Sequence, residues 1–86
     1  MSEATEDIFN RQIARILGQQ LLELLRARAA TGRPWIGTAW LAAAADMRMD
    51  IALERLGELE RRGVVTSRLG EDGEEMFWTL GPEGPE

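Results

Sequence analysis

The chain has 86 residues, a formal net charge of −5, and neither cysteine nor histidine. Disulfides, thiolate metal sites, cysteine nucleophiles and the commonest general base are therefore absent, and the expectation is a non-enzyme without cofactor or metal. One small core is all that such a length supports, and no apolar run approaches the roughly 20 residues of a bilayer-crossing helix. The acidic start "MSEATEDIFN" lacks the basic-then-apolar pattern of a signal peptide, so a cytoplasmic location is expected.

Charge is unevenly spread. Residues 11–35 hold five arginines against one glutamate, whereas residues 64–86 hold one arginine against six carboxylates. Every basic residue is arginine.

Residues 7–30 have helical periodicity. Phe9, Ile13, Ile16, Leu17, Leu21 and Leu24 recur at three-and-four spacing and predict the buried face. Arg11, Arg15 and Arg26 fall opposite, with Ile8 and Leu22 beside them, either as scattered surface hydrophobes or as a self-association surface. "TGRP" ends the helix: Gly32 suits a C-terminal cap and Pro34 pushes Arg33 toward extended backbone. "PWIG" follows as a short extended link. Thr38 is then a plausible N-cap for a second, alanine-rich helix, "AWLAAAADM".

After a turn near Met47–Met49 a third helix is predicted over 49–62. Its buried face is Met49, Ala52, Leu53, Leu56 and Leu59, and Gly63 closes it. "VVTSRL" and "EMFWTL" read as strands around the turn cluster "GEDGEE", in which Asp72-Gly73 is a strong hairpin signal. Residues 1–6 are expected to be disordered, 7–81 to form the domain, and 82–86 to fray. The order helix, link, helix, turn, helix, hairpin predicts a mainly α fold with a β-hairpin, a three-helix winged helix-turn-helix whose third helix normally enters the major groove.

The stretch "ALERLGELERRGVVTSR" followed by "FWTLGPEG" resembles the end of the winged-helix domain of PadR-type bacterial regulators and, more distantly, MarR-type regulators. The resemblance covers residues 50–84. Leu53, Leu56 and Leu59 match the apolar ladder of that family's recognition helix, and Gly63, Val64 and Val65 its helix end and first wing strand. Arg68 matches an arginine frequent in that strand. Phe77, Trp78 and Leu80 match the returning strand, and Pro82-Glu83-Gly84 a closing tripeptide. The resemblance implies a DNA-binding transcriptional regulator acting on double-stranded DNA as a homodimer. Two departures stand out: Glu54, Glu58 and Glu75 occupy positions commonly basic in the family, and the sequence shows no long dimerisation helix after the wing.

Arginine suits bidentate contact with guanine edges, so Arg48 and Arg55 are the candidates for base contact, with Ile51, Arg62 and Arg68 beside them. Arg11, Arg15 and Arg33 are candidates for the DNA backbone, and the first helix for a homodimer interface. The bland alternatives are a solvated third helix with a Glu58–Arg62 pair and an Arg68 paired across the ladder with Glu74 or Glu75. Trp35, Trp40 and Trp78 are expected in or near the core, with a tryptophan-lined ligand pocket as a lesser alternative. The acidic turn Glu71, Asp72, Glu74 and Glu75 is either a soluble tip or a docking site for a basic protein partner, which gives a second reading: a winged helix used as a protein-binding module or DNA mimic.

Overall fold

The computed structural model describes the backbone of residues 3–81 and the side chains of residues 8–81. The tail 82–86, with the Pro82-Glu83-Gly84 match, lies outside the described residues, as do residues 1–2.

The first helix, α1 (Glu3–Ala30), starts four residues before the expected Asp7 and runs 28 residues, about 42 Å at 1.5 Å per residue. It thus sets the long axis of a molecule measuring 47 × 22 × 20 Å. It ends as the sequence predicts: Gly32 takes φ 83°, and the amides of Thr31 and Arg33 both donate to the Arg28 carbonyl.

Among the described residues of α1, the buried apolar side chains belong to its C-terminal half. Leu21, Leu22 and Leu25 are buried, whereas Ile8, Phe9, Ile13 and Ile16 are exposed. The predicted buried face is therefore corrected: Leu22 is core, and Phe9, Ile13 and Ile16 form an apolar stripe on the overhanging half. The stripe and the core face are each helically periodic, and periodicity does not say which of two apolar faces meets the body.

A two-residue strand, β1 (Ile36–Gly37), leads into α2 (Thr38–Ala44). Thr38 is not the cap; Gly37 occupies that position. Thr38, 2% exposed, instead donates its hydroxyl to the Met76 carbonyl (2.7 Å) and accepts from Trp78 Nε1 (2.8 Å). Buried polar groups are costly unless bonded, and this chain of two bonds lets a tryptophan and a threonine share the interior. Asp46 makes the turn into α3 with φ 53°, a left-handed conformation that aspartate tolerates better than most residues.

The third helix, α3 (Met49–Arg61), buries Ala52, Leu56 and Leu59. Met49 and Leu53, expected on that face, are 44% and 41% exposed. They lie at its edge. At Gly63, φ 75° lets the chain reverse, and Val64 N closes the helix on Leu59 O. Strands β2 (Val65–Leu69) and β3 (Met76–Leu80) pair antiparallel with Ser67 opposite Trp78, and β1 adds to the far side of β3, giving the order β1-β3-β2. The turn between them closes through Gly70 N to Glu75 O.

The core joins Leu21, Leu22 and Leu25 of α1 to Ile36, Leu41, Leu56, Leu59, Val65 and Trp78. Of the three tryptophans only Trp78 is core; Trp35 is half-buried, and Trp40 is 41% exposed under the guanidinium of Arg28, 4.6 Å from its ring centroid. The architecture is a winged helix-turn-helix, mainly α, with the hairpin as wing.

Candidate nucleic-acid interface

At 100° per residue, α3 presents three strips to consider. Ala52, Leu56 and Leu59 face inward. Asp50, Glu54, Gly57, Glu58 and Arg61 face outward, so the strip a groove would meet first holds three carboxylates and one arginine. Ile51, Arg55 and Arg62 form the flank toward α1.

Each arginine of α3 has a partner. Arg48 Nη2 bonds Asp50 (3.0 Å), Arg55 Nη2 bonds Glu54 (2.8 Å), and Glu58 takes Arg61 Nη2 at 2.6 Å and Arg62 Nε at 3.6 Å. The hydrogen bond and charge of Arg61, reinforced by Arg62 and Arg55, hold the Glu58 carboxyl below the ordinary glutamate range. The expected Glu58–Arg62 pair is present, as the longer of the two contacts.

The candidate residues divide between separate places. Arg11 and Arg15 of α1 face Arg55 and Arg62 of α3 across a cleft of about 540 Å³ floored by Leu22 and Leu59. Arg48 stands at the opposite end of α3, as its N-cap, and Arg33 is exposed in the link. Arg68 is on the wing, opposite Phe77 in the ladder, with its guanidinium carbon 4.2 Å from the Trp35 ring centroid. The expected pairing of Arg68 with Glu74 or Glu75 is replaced by this cation–π stack.

The acidic residues of the wing also separate. Glu75 accepts the backbone amide of Ala39 (3.0 Å) and so caps the start of α2 from 36 residues away. Asp72 accepts the amide of Glu74 and shapes the turn. Glu60, on α3, accepts both the amide and the hydroxyl of Ser67 on β2 (2.8 and 2.6 Å). Carboxylates thus pin the hairpin to both helices of the helix-turn-helix. Glu71 and Glu74 remain as exposed charge at the tip.

Sequence reasoning missed Glu60 and the meeting of the two arginine pairs. The spacing of Arg11 with Arg15 and of Arg55 with Arg62 signals one arginine stripe on each helix; that the stripes face each other depends on the packing of α1 against α3. Among the described residues no group of three or more histidine, cysteine or carboxylate side chains is placed to hold a metal. Among the described residues no helix is long and apolar enough to cross a membrane.

No protein-family model and no curated protein matches the chain. Among solved structures it is similar to the transcriptional regulator PA4135, with a TM-score of 0.63 at 15% identity, over 96% of this chain and 68% of that one. It is also similar to a doubly substituted variant of Lactococcus lactis ZitR in apo form, with a TM-score of 0.57 at 19% identity, over 96% of this chain and 64% of that one. The chain thus spans about two thirds of each neighbour. At these identities the likeness establishes the fold, a winged helix-turn-helix that transcriptional regulators also use.

Proposed function

We propose that the chain is a small DNA-binding transcriptional regulator, PadR-like, that acts as a homodimer. The observation that carries this reading is the winged helix itself, matched over 96% of the chain to a solved transcriptional regulator. In this reading α3 enters the major groove by its N-terminal end, where Arg48 and Ile51 reach base edges and Arg55 follows on the flank. Arg62, Arg68, Arg11, Arg15 and Arg33 supply phosphate contacts. The dimer forms through α1, whose stripe of Phe9, Ile13 and Ile16 faces solvent at 62%, 39% and 59% exposure; apolar side chains in such a row gain from a partner surface. The test is selection from random duplex DNA at low salt, with enrichment of a sequence that α3 substitutions alter. No enrichment overturns it.

One observation favours a second reading. The outward strip of α3 is acidic, and Glu71, Asp72 and Glu74 are exposed at the wing tip. A protein-binding winged helix would use this surface for a basic partner. The two readings separate by charge removal: Glu54→Gln/Glu58→Gln strengthens DNA binding in the first and weakens partner binding in the second.

A further inference from the structure

We propose that the outer face of the wing sheet is a docking site for a proline-rich peptide segment that carries a basic residue, received between the rings of Trp35 and Phe77 with Glu71 and Asp72 beside them. Strand pairing sorts the sheet into two faces, because residues paired across strands share a face and neighbours along a strand alternate. Ile36, Trp78 and Val65 belong to the face that meets the core. Gly37, Phe77 and Arg68 form one cross-strand row on the other. Trp35, two residues before Gly37, reaches the same face, where its ring stacks on the Arg68 guanidinium. Between Trp35 and Phe77 the surface sinks into a recess of about 600 Å³.

Two features set its walls. A Cβ on Gly70 would meet Phe77 Cε2 at 2.7 Å, so glycine at this position lets the ring lie against the hairpin backbone. Gly70 has no left-handed φ; the ring, not the turn, requires it. On the opposite wall the cation–π contact of 4.2 Å holds the indole beside Arg68. Arg68 makes no ion pair among the described residues, although Glu71 and Asp72 line the same recess. Its charge is engaged by the ring, and the carboxylates stay open to a partner: Glu71 is exposed, and Asp72 uses one oxygen on the amide of Glu74.

The occupant follows from shape and charge. Two half-buried rings and the exposed Leu69 offer a small apolar area, which suits a ligand that is stiff before it binds. A polyproline II segment is such a ligand: it loses little conformational freedom, and segments of this kind dock in aromatic-lined grooves. An amphipathic helix needs a row of anchors along a longer groove. The recess holds two carboxylates against one arginine, so a basic residue in the peptide is attracted. Single-stranded nucleic acid, whose bases also stack on aromatic rings, is repelled there through its phosphates. The site shares Glu71 and Asp72 with the protein-binding reading above but uses no residue of α3, and it rests on neither functional reading.

The experiment titrates the whole chain with an oligoproline carrying a central arginine, the same peptide with glutamate in that place, a flexible glycine–serine peptide with the central arginine, and oligothymidylate. Tryptophan fluorescence and amide and indole chemical shifts are followed. The arginine oligoproline is expected to bind more tightly than about 1 mM, at least about tenfold above the glycine–serine peptide and about threefold above the glutamate peptide, with shifts in residues 35–37 and 68–77. Trp35→Ala and Phe77→Ala are expected to weaken it at least about fivefold, and Trp40→Ala, which removes an exposed tryptophan elsewhere, to leave it unchanged. Glu71→Gln/Asp72→Asn, which keeps the shape of the turn, is expected to abolish the preference for arginine over glutamate. Circular dichroism checks each variant, and the shift map and this conservative pair decide the matter where an aromatic variant fails to fold. The proposal is overturned if neither oligoproline binds, if the glycine–serine peptide binds equally, if the shifts map elsewhere, if the preference for arginine survives the double variant, or if oligothymidylate but no oligoproline perturbs these residues.

Discussion

Removing the Glu75 carboxylate tests the claim that this wing residue holds the fold together across 36 residues of sequence. Its Oε2 lies 3.0 Å from the amide of Ala39, one of the donors left unpaired at the start of α2. Loss of a side-chain cap costs about 0.5–2 kcal/mol, typically about 1, and about 1 kcal/mol lowers the melting temperature of a domain this size by about 4–8 °C. Glu75→Ala is therefore expected to lose about 1 kcal/mol in urea denaturation followed by circular dichroism at pH 7. Glu75→Gln, which keeps an acceptor oxygen but gives up the charge at the helix start, is expected to lose about 0.3–1 kcal/mol. Gly37 provides an internal control. A Cβ added there would meet Glu75 Oε1 at 2.8 Å, so Gly37→Ala displaces the cap in the native background. With Glu75→Ala already present the clash is gone, and the substitution becomes neutral or stabilising by about 0.4–1 kcal/mol, the usual gain when alanine replaces glycine at a compatible backbone angle. The reasoning is refuted if Glu75→Ala falls within the about ±0.5 kcal/mol of ordinary surface substitutions, or if Glu74→Ala, at the exposed tip, costs as much.

Other consequences are open to direct measurement. Thr38→Val leaves the part-buried Met76 carbonyl and the buried Trp78 Nε1 without their partner, and at about 1–3 kcal/mol for each stranded group the expected loss is about 2–6 kcal/mol by chemical denaturation. Glu58 gives a pH dependence. Its folded-state pKa is depressed by Arg61, so its contribution is present above the ordinary glutamate range and is lost as pH falls through the folded value. Wild type should exceed Glu58→Gln in stability at neutral pH, with the gap closing below about pH 4; a gap constant down to about pH 2 contradicts this. Ile16→Glu, placed in the exposed stripe, should leave the fold intact and weaken self-association at least about tenfold in sedimentation equilibrium, because burying one such side chain is worth about 1.5–3 kcal/mol.

Much of the fold was legible because its signals are local. Gly63 ends α3, Asp72-Gly73 turns the hairpin, and the β-branched and aromatic residues of "VVTSRL" and "EMFWTL" mark strands, each within a few residues of sequence. The errors concern what an element packs against. Ile13 and Ile16 share a helical period with Leu21, yet they overhang the body; Trp40 looks like core and is a platform for Arg28. Thr38 has the right chemistry for a cap, but the buried Trp78 and the Met76 carbonyl engage its hydroxyl. The candidate site was less legible. Its arginines were visible as residue types, but the cleft that gathers Arg11, Arg15, Arg55 and Arg62 exists only once α1 lies on α3. Glu75, conspicuous as an acid in a wing, acquires its role from a helix start that is distant in sequence.

The central claim, that α3 of this winged helix reads duplex DNA, is tested most directly by selection from a random duplex library at low salt, with the native chain and Glu54→Gln/Glu58→Gln in parallel. The account predicts an enriched, two-fold symmetric sequence with half-sites about one DNA turn, roughly 34–36 Å, apart, and tighter binding by the double variant as repulsion from phosphate is removed. Enrichment of no sequence by either chain would contradict it.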